Sequence, residues 1–369
     1  MAKTMIALVS AQRMQNIIPV FQKGADFDKI WLVRSTDADV AVSRFARAWQ
    51  DTVNALKGDL DVHSAEPAVG AYGIAETRQL VAGLIEEGLP DDVVVNFTGG
   101  TKCMSVGAYL AAQNVGVTTL YVDTANEKLV WFSEGQRQEE RFDLAGRLTV
   151  SVYFRANGKQ IDQKRTQKHA LPEIAYDIAR EFASTWPQCV DTLEAFGRAI
   201  SHQGQDKVQD SLVNRGIVDI LAQYELVTQT GTDWEVREKG RAFLTGKWLE
   251  ALVCVLLESS GHFDDVQSGL CLREVENELD VLTTRKGQLA IIECKSGSLG
   301  GQTTLNKLQA IRTGFGTFAR TFFVTSQQDN RVKHDFRERA REYGVRQIIT
   351  AESLLQIADK VRTGMRGTP

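Results

Sequence analysis

Five cysteines, at 103, 189, 254, 271 and 294, are scattered with no Cys-x-x-Cys pairing, which argues against a disulfide framework or a zinc site. The five histidines, at 63, 169, 202, 262 and 334, show no metal spacing either. No apolar run is long enough to cross a membrane, and Met1-Ala2-Lys3-Thr4 leads straight into a strand pattern where a signal peptide would stand. A cytoplasmic chain without membrane contact is therefore expected. Tandem repeats and low-complexity tracts are missing too, although the tail Arg362 to Pro369 is expected to be loose. At 369 residues, 43% hydrophobic and 24% charged, the chain can bury more than one core, and two or three domains are expected.

The net charge of −4 argues against a nucleic-acid enzyme until it is divided. From Arg241 to Pro369 there are 18 Lys and Arg against 15 Asp and Glu, while the remainder carries 25 against 32. The C-terminal part is thus basic and the rest acidic. Its basic run Arg331, Lys333, Arg337, Arg339, Arg341 is a candidate for phosphate contact; Asp335, Glu338 and Glu342 could equally pair those bases on a solvated helix.

Chemistry concentrates in Asn277-Glu278-Leu279-Asp280 and Ile292-Glu293-Cys294-Lys295. Apolar runs flank both, and Arg285-Lys286-Gly287 supplies turn chemistry for a β-hairpin. Side chains two apart on a strand share a face, so Glu293 and Lys295 point together, and Asp280 on the partner strand can join them. Two carboxylates and an ammonium could hold Mg²⁺ or Mn²⁺ beside a scissile phosphate. A surface hairpin with a cross-strand ion pair would show the same spacing, but here the charges interrupt the apolar string Ala290, Ile291, Ile292, Cys294. The preceding segment, Phe243 to Leu257, reads as a long, mostly buried helix with Glu250 as its one interior acid.

The N-terminal part differs. Met5–Val9, Lys29–Val33, Val93–Phe97 and Thr118–Val122 are short apolar runs separated by amphipathic stretches, notably Val40–Leu56 and Ile74–Glu87, which implies a parallel sheet covered on both faces. Ligands gather beyond the carboxyl ends of such strands. Two loops lie there: Val9-Ser10-Ala11-Gln12, and Asn96-Phe97-Thr98-Gly99-Gly100-Thr101-Lys102, which runs into a helix over Cys103–Gln113. Glycines and free N–H groups at a helix start suit a phosphate, although an ordinary Gly turn with a Thr N-cap reads the same way. The loop lacks the G-x-x-x-x-G-K-[ST] pattern, which argues against a nucleotide triphosphatase.

Between the ends, helices are expected over Leu171–Phe182, Asp191–Ile200 and Leu212–Gln223, followed by a hairpin at Leu226–Val236 with Gly231 in its turn. Three helices and a hairpin outline a winged helix. The third helix offers only Arg215 as a base, so a structural connector is the better reading.

Helix with Glu250, strand with Asp280 and strand with Glu293-x-Lys295 resemble the PD-(D/E)xK nuclease superfamily, with Leu279 where the superfamily's name has Pro. That resemblance implies Glu250, Asp280, Glu293 and Lys295 as catalytic residues, with Asp280, Glu293 and Glu250 holding Mn²⁺ or Mg²⁺. The first half, through Ser10, Gln12 and Asn96-Phe97-Thr98-Gly99-Gly100-Thr101-Lys102-Cys103-Met104-Ser105, resembles the CARF sensor domain of CRISPR systems. It implies a homodimer that binds a cyclic oligoadenylate, usually cyclic tetra-adenylate, through Ser10, Gln12, Asn96, Thr98, Gly99, Gly100, Thr101, Lys102 and Ser105. The combination resembles the CRISPR ancillary nucleases of the Can and Card type. The expected fold is α/β: a Rossmann-like CARF domain at 1–155, a helical, winged-helix-like connector at 156–240 and a restriction-endonuclease-like PD-(D/E)xK domain at 241–369. The expected function is a ligand-gated, metal-dependent endonuclease acting on DNA or RNA in type III CRISPR defence; the alternative is a ligand-controlled DNA-binding regulator without nuclease activity.

Overall fold

A computed structural model of the chain describes residues 3–36, 44–88, 92–144, 146–203, 205–274, 278–297, 299, 302–315 and 318–366. Val40 and Asn277, assigned above to a helix and a strand, lie outside the described residues, as does the tail at 367–369. The chain divides into two compact units, residues 1–160 and 161–367.

In the first unit strands and helices alternate: β1 (Thr4–Leu8), α1 (Met14–Phe21), β2 (Lys29–Val33), α2 (Arg44–Leu56), β3 (Asp61–Ser64), α3 (Ile74–Glu87), β4 (Val93–Asn96), α4 (Lys102–Val115) and β5 (Thr118–Asp123). A hairpin of β6 (Lys128–Ser133) and β7 (Gln136–Arg141) and a short helix, α5 (Val150–Ala156), follow. The sheet order is β3-β2-β1-β4-β5-β6-β7. The first five are parallel and the last two antiparallel additions. Strand order reverses between β1 and β4, so the loops leaving their carboxyl ends border the crevice where doubly wound sheets hold ligands. Ile6, Leu8, Val33 and Val95 from the strands pack with Val81, Ile85, Met104 and Ala108 from α3 and α4.

The second unit begins with α6 (Gln163–His169), α7 (Glu173–Thr185), α8 (Cys189–Gln203), β8 (Lys207–Gln209), α9 (Arg215–Gln223), β9 (Val227–Thr230), β10 (Asp233–Val236) and α10 (Glu238–Ala242). It continues through α11 (Trp248–Ser259), β11 (Asp265–Cys271), β12 (Glu278–Arg285), β13 (Gln288–Lys295), α12 (Gln302–Thr313), β14 (Ala319–Thr325), α13 (His334–Glu342), β15 (Val345–Ile349) and α14 (Ile357–Met365). Two sheets result, β8-β10-β9 and β11-β12-β13-β14-β15. In the larger one β11, β12 and β13 are antiparallel, and β13, β14 and β15 parallel.

The segment read as a separate connector does not stand apart from the nuclease sheet. Phe182, Phe196 and Trp234 share one continuous apolar core with Trp248, Ile292, Phe322 and Val361. Two further differences have clear causes. The long helix expected from Phe243 is interrupted by a π-helical turn, Phe243–Lys247, where Gly246 takes φ 151°. The tail, expected to be loose from Arg362, is helical through Met365, because Val361 and Met365 are fully buried.

Candidate functional site

The hairpin of β12 and β13 closes on Lys286 and Gly287, both at positive φ (48° and 76°), between the paired residues Arg285 and Gln288. Two left-handed residues fit the twist of the flanking strands and lock the register. That register pairs Val281 with Ile292, so Asp280 stands opposite Glu293, and alternation puts Lys295 on the same face. Asp280 Oδ2 accepts a hydrogen bond from Cys294 N at 2.8 Å, which fixes the carboxylate at the strand end. Glu250, in the first turn of α11, is buried.

Three lysines distinguish these acids. Lys247 Nζ donates to Glu250 Oε2 at 2.8 Å and also to Glu278. Lys307 Nζ donates to Glu293 Oε2 at 3.1 Å. Lys295 is exposed, and its ammonium has no partner among the described residues. His169 Nδ1 meets the other oxygen of Glu278 at 2.8 Å. Sequence reasoning missed Lys247, Lys307, Glu278 and His169: the Lys247–Glu250 pair has the three-residue spacing of helix neighbours, but the other contacts are made across the fold.

Burial, with the Glu293 and Glu250 charges adding to it, raises the Asp280 carboxyl well above the usual carboxylate range. Burial pushes Glu250 up to about 7 against the pull of Lys247, with Glu278 and Glu293 pushing the same way. Buried carboxylates that resist joint ionisation suit a divalent cation, whose charge would relieve all of them. Asp280, Glu293 and Glu250 are hard oxygen donors of the right kind for Mg²⁺ or Mn²⁺. They do not form a closed cage, because Lys247 and Lys307 engage two of them. Among the described residues the one trio with ligand atoms within 4.8 Å of one another is His334, Asp335 and Glu338, all exposed on α13.

The Glu250 shift gives a pH signature. Its folded pKa of about 7 exceeds the ordinary 4.5, so between those values the folded state keeps a proton that the unfolded chain releases. Stability without metal therefore falls as pH rises through this window, by about 3 kcal/mol for Glu250 at full ionisation. Glu250→Gln should melt at higher temperature than the parent at pH 8 in EDTA, while at pH 5 the two should nearly coincide. Equal differences at both pH values would show that the Glu250 charge carries no such cost.

In the first unit the two expected loops meet. A Cβ on Gly99 would overlap the Leu8 carbonyl oxygen and stand 3.2 Å from Ser10 Cβ, so only glycine lets the β4 loop lie against the end of β1. Gly100 has φ +72°. Asn96 is fully buried and its side chain is committed within the protein: Nδ2 donates to Gln15 O at 2.9 Å and to Asn16 Oδ1 at 3.3 Å, and Oδ1 accepts from Thr98 N at 3.1 Å and Thr98 Oγ1 at 2.7 Å. It shapes the loop and has no surface to offer a ligand.

Thr98 Oγ1 accepts from Val122 N at 2.7 Å, and Ser105 Oγ donates to Gly99 O at 2.8 Å. Thr101 caps α4, accepting from Met104 N at 3.2 Å, and donates to Ala71 O. Gln12 is exposed, its N–H donating to Ser10 Oγ at 3.1 Å and its Oε1 accepting from Gln15 Nε2 at 2.8 Å. Lys102 is exposed at the first position of α4. The crevice is therefore bordered by Ser10, Gln12, Gly100 and Lys102, held by the buried Gly99 and the inward-turned Asn96, Thr98, Thr101 and Ser105.

The central module completes a winged-helix outline, with β8 joining the β9–β10 hairpin. Arg215, the single base of α9, is held by Asp210 at 3.2 Å and lies over the Trp234 ring. A helix with one base is poorly equipped to read base edges.

A doubly wound sheet with a glycine-bearing switch-point loop, followed by a mixed sheet with carboxylates and lysine on one hairpin, defines a ligand sensor joined to a nuclease-type core. Residues 4–153 match the Card1 CARF domain and residues 237–366 the Card1-like endonuclease domain, so the chain is a CARF–endonuclease fusion of the Card1 type. No curated protein sequence matches it. Among solved structures it is similar to protein VC1899 from Vibrio cholerae, with TM-score 0.74 and 18% identity over 100% of this chain and 99% of that one. It is also similar to Can2 from Sulfobacillus thermosulfidooxidans, solved with cyclic tetra-adenylate, with TM-score 0.68 and 19% identity over 99% and 100% of the two chains. A type III CRISPR defence DNA nuclease activated by cyclic oligoadenylate gives TM-score 0.54 and 18% identity over 89% of this chain and 46% of that one. At these identities the likeness establishes the fold. No helix among the described residues is long and apolar enough to cross a membrane.

Proposed function

We propose that the chain is an endonuclease switched on by a cyclic oligoadenylate, cyclic tetra-adenylate first among them, which cuts DNA or RNA with Mn²⁺ or Mg²⁺ in type III CRISPR antiviral defence in the cytoplasm. The observation that carries this reading is the union in one chain of a Card1 CARF domain and a Card1-like endonuclease domain. The raised pKa of Asp280 and Glu250 supports the metal. Asp280 and Glu293 would hold the cation, with Glu250 as third ligand or as a support from outside the ligand shell. The bound metal supplies water activation and charge neutralisation at phosphorus. Lys295, free at the strand end, orients that water or meets the charge that grows on the phosphate during attack. Lys247 and Lys307 hold Glu250 and Glu293 in place.

Homodimer formation is part of the proposal. Ile74, Val106 and Leu110 are exposed apolar side chains, and the close approach of Gly107 to the Ile74 carbonyl, where a Cβ would stand at 2.5 Å, brings α4 against the start of α3. A self-complementary patch there would be covered by a second copy. The regulator reading loses support from α9, whose nine residues offer one base.

The deciding experiment incubates the full chain with labelled single-stranded DNA, single-stranded RNA and plasmid, with Mn²⁺ or Mg²⁺, each with and without cyclic tetra- or hexa-adenylate. Metal- and ligand-dependent cleavage is expected. Full activity without any ligand would indicate an ungated nuclease, and none under any condition a regulator. Within an active enzyme, Lys295→Ala should lower kcat with little change in KM, because its charge acts on the developing transition state. A raised KM at unchanged kcat would make Lys295 a binding residue.

A further inference from the structure

Beside Lys295 lies a cleft of about 440 Å³, in the size range of pockets that hold a small-molecule-sized group such as one nucleotide. Its far wall is not part of the nuclease sheet. It is α8 of the winged-helix-like module, which contributes Glu194, Gly197 and Arg198, while Arg331 enters from the segment after β14. The shared apolar core fixes this wall, since Leu193 and Phe196 of α8 are buried in it. Gly197 lets α8 pack closely on the turn before α11: a Cβ there would stand 3.1 Å from the Leu244 carbonyl. The π-helical turn at 243–247 forms the floor through Leu244 and Thr245, and such turns collect at functional sites.

The charges in the cleft do not cancel. Glu194 is already satisfied, with Ser326 Oγ donating to it at 2.7 Å and Arg198 beside it at 3.4 Å. The Arg198 side chain is 61% exposed, which leaves it room for a partner besides Glu194, and the Arg331 side chain has none among the described residues. With Lys295, three cations face one acid. Planar guanidinium groups bind phosphate in two-pronged fashion.

We infer that this cleft is the path of the nucleic-acid strand next to the cut, with Arg198 and Arg331 gripping the phosphate that neighbours the scissile one. The inference rests on the nuclease reading and deepens it: a helix outside the catalytic sheet supplies part of the substrate site. Arg198 and Arg331 are binding residues, and the chemistry stays with the carboxylates and Lys295.

The test uses the full chain and a fluorescent single-stranded oligonucleotide, with binding measured across a salt series and cleavage measured in steady state. Arg198→Ala and Arg331→Ala should each weaken binding and raise KM about tenfold, as expected for the loss of a charge-assisted contact, with kcat little changed. Each should lower the slope of log affinity against log salt by about 0.7, whereas Arg198→Lys should keep most of that slope. The concentration of cyclic tetra-adenylate giving half activation should not move. An R198A/R331A protein that binds and cuts like an active parent would overturn the cleft assignment and leave the nuclease reading intact. A parent that neither binds nor cuts nucleic acid would overturn both.

Discussion

Asp280→Asn and Glu293→Gln proteins are expected to lose cleavage by on the order of 10³-fold, and Asp280→Asn to melt at or above the parent's temperature. The two halves of this result have one cause. Asp280 is held at the end of β12 by the N–H of Cys294, 2.8 Å away, and asparagine retains that acceptor. It lacks the negative charge, which burial together with Glu293 and Glu250 makes costly to maintain. Removing it relieves the metal-free protein and withdraws a hard ligand from the cation. Glu293→Gln likewise withdraws a hard ligand, but Lys307 loses its ion pair at 3.1 Å, so a gain in melting temperature is expected for Asp280→Asn alone. Cleavage assays paired with thermal melts in EDTA check both. Near-parent cleavage in the two variants would remove the hairpin from the chemistry.

The next largest effect is expected at the sensor crevice. In Gly99→Ala the added methyl group collides with the Leu8 carbonyl, a backbone atom that cannot turn aside, so the loop must lift away from the end of β1. The Asn96 amide then loses its partners in that loop. The concentration of cyclic tetra-adenylate for half activation should rise by about 100-fold or more, matching a loss near 3 kcal/mol of ligand binding. Lys102→Ala leaves the loop in place and withdraws one charge, so a rise of about tenfold at the same plateau is expected. Since a ligand shifts a two-state equilibrium only by its difference in affinity, both variants should still cut fully at saturating ligand if they fold. Titration of cleavage with melting as a control decides the matter; a curve for Gly99→Ala that overlays the parent's would place the ligand elsewhere.

The parts legible in the sequence were those where local pattern and global fold agree. β12 and β13 were readable because apolar runs end in charges and the turn between them demands left-handed residues. The parallel strands of the first unit were readable as short apolar runs. β3 (Asp61–Ser64) and β7 (Gln136–Arg141) were not, because edge strands with half-buried or exposed side chains carry no apolar signal. β11 hides behind the mixed string Asp265–Cys271, broken by Gly269 at φ +64°. In the site, Asp280, Glu293 and Lys295 follow from strand alternation. The contact of Lys247 with Glu278 spans 31 residues and that of Lys307 with Glu293 spans 14, separations set by tertiary packing alone. Asn96 shows the opposite limit: a polar residue in a glycine loop reads as a ligand group, and only burial reveals that it braces the loop.

The apolar core that runs from Phe182 and Phe196 to Trp248 and Phe322 also dictates where this protein can be taken apart. A fragment starting at Arg241 would leave the inner faces of α11 and the sheet without cover, bare to water over the area that α7 and α8 occupy, and should aggregate. A fragment starting at Ile161 keeps that core whole and should unfold in a single transition. For anyone exchanging sensors between enzymes of this kind, the splice belongs at about residue 160, with the winged-helix-like module travelling as cargo of the nuclease.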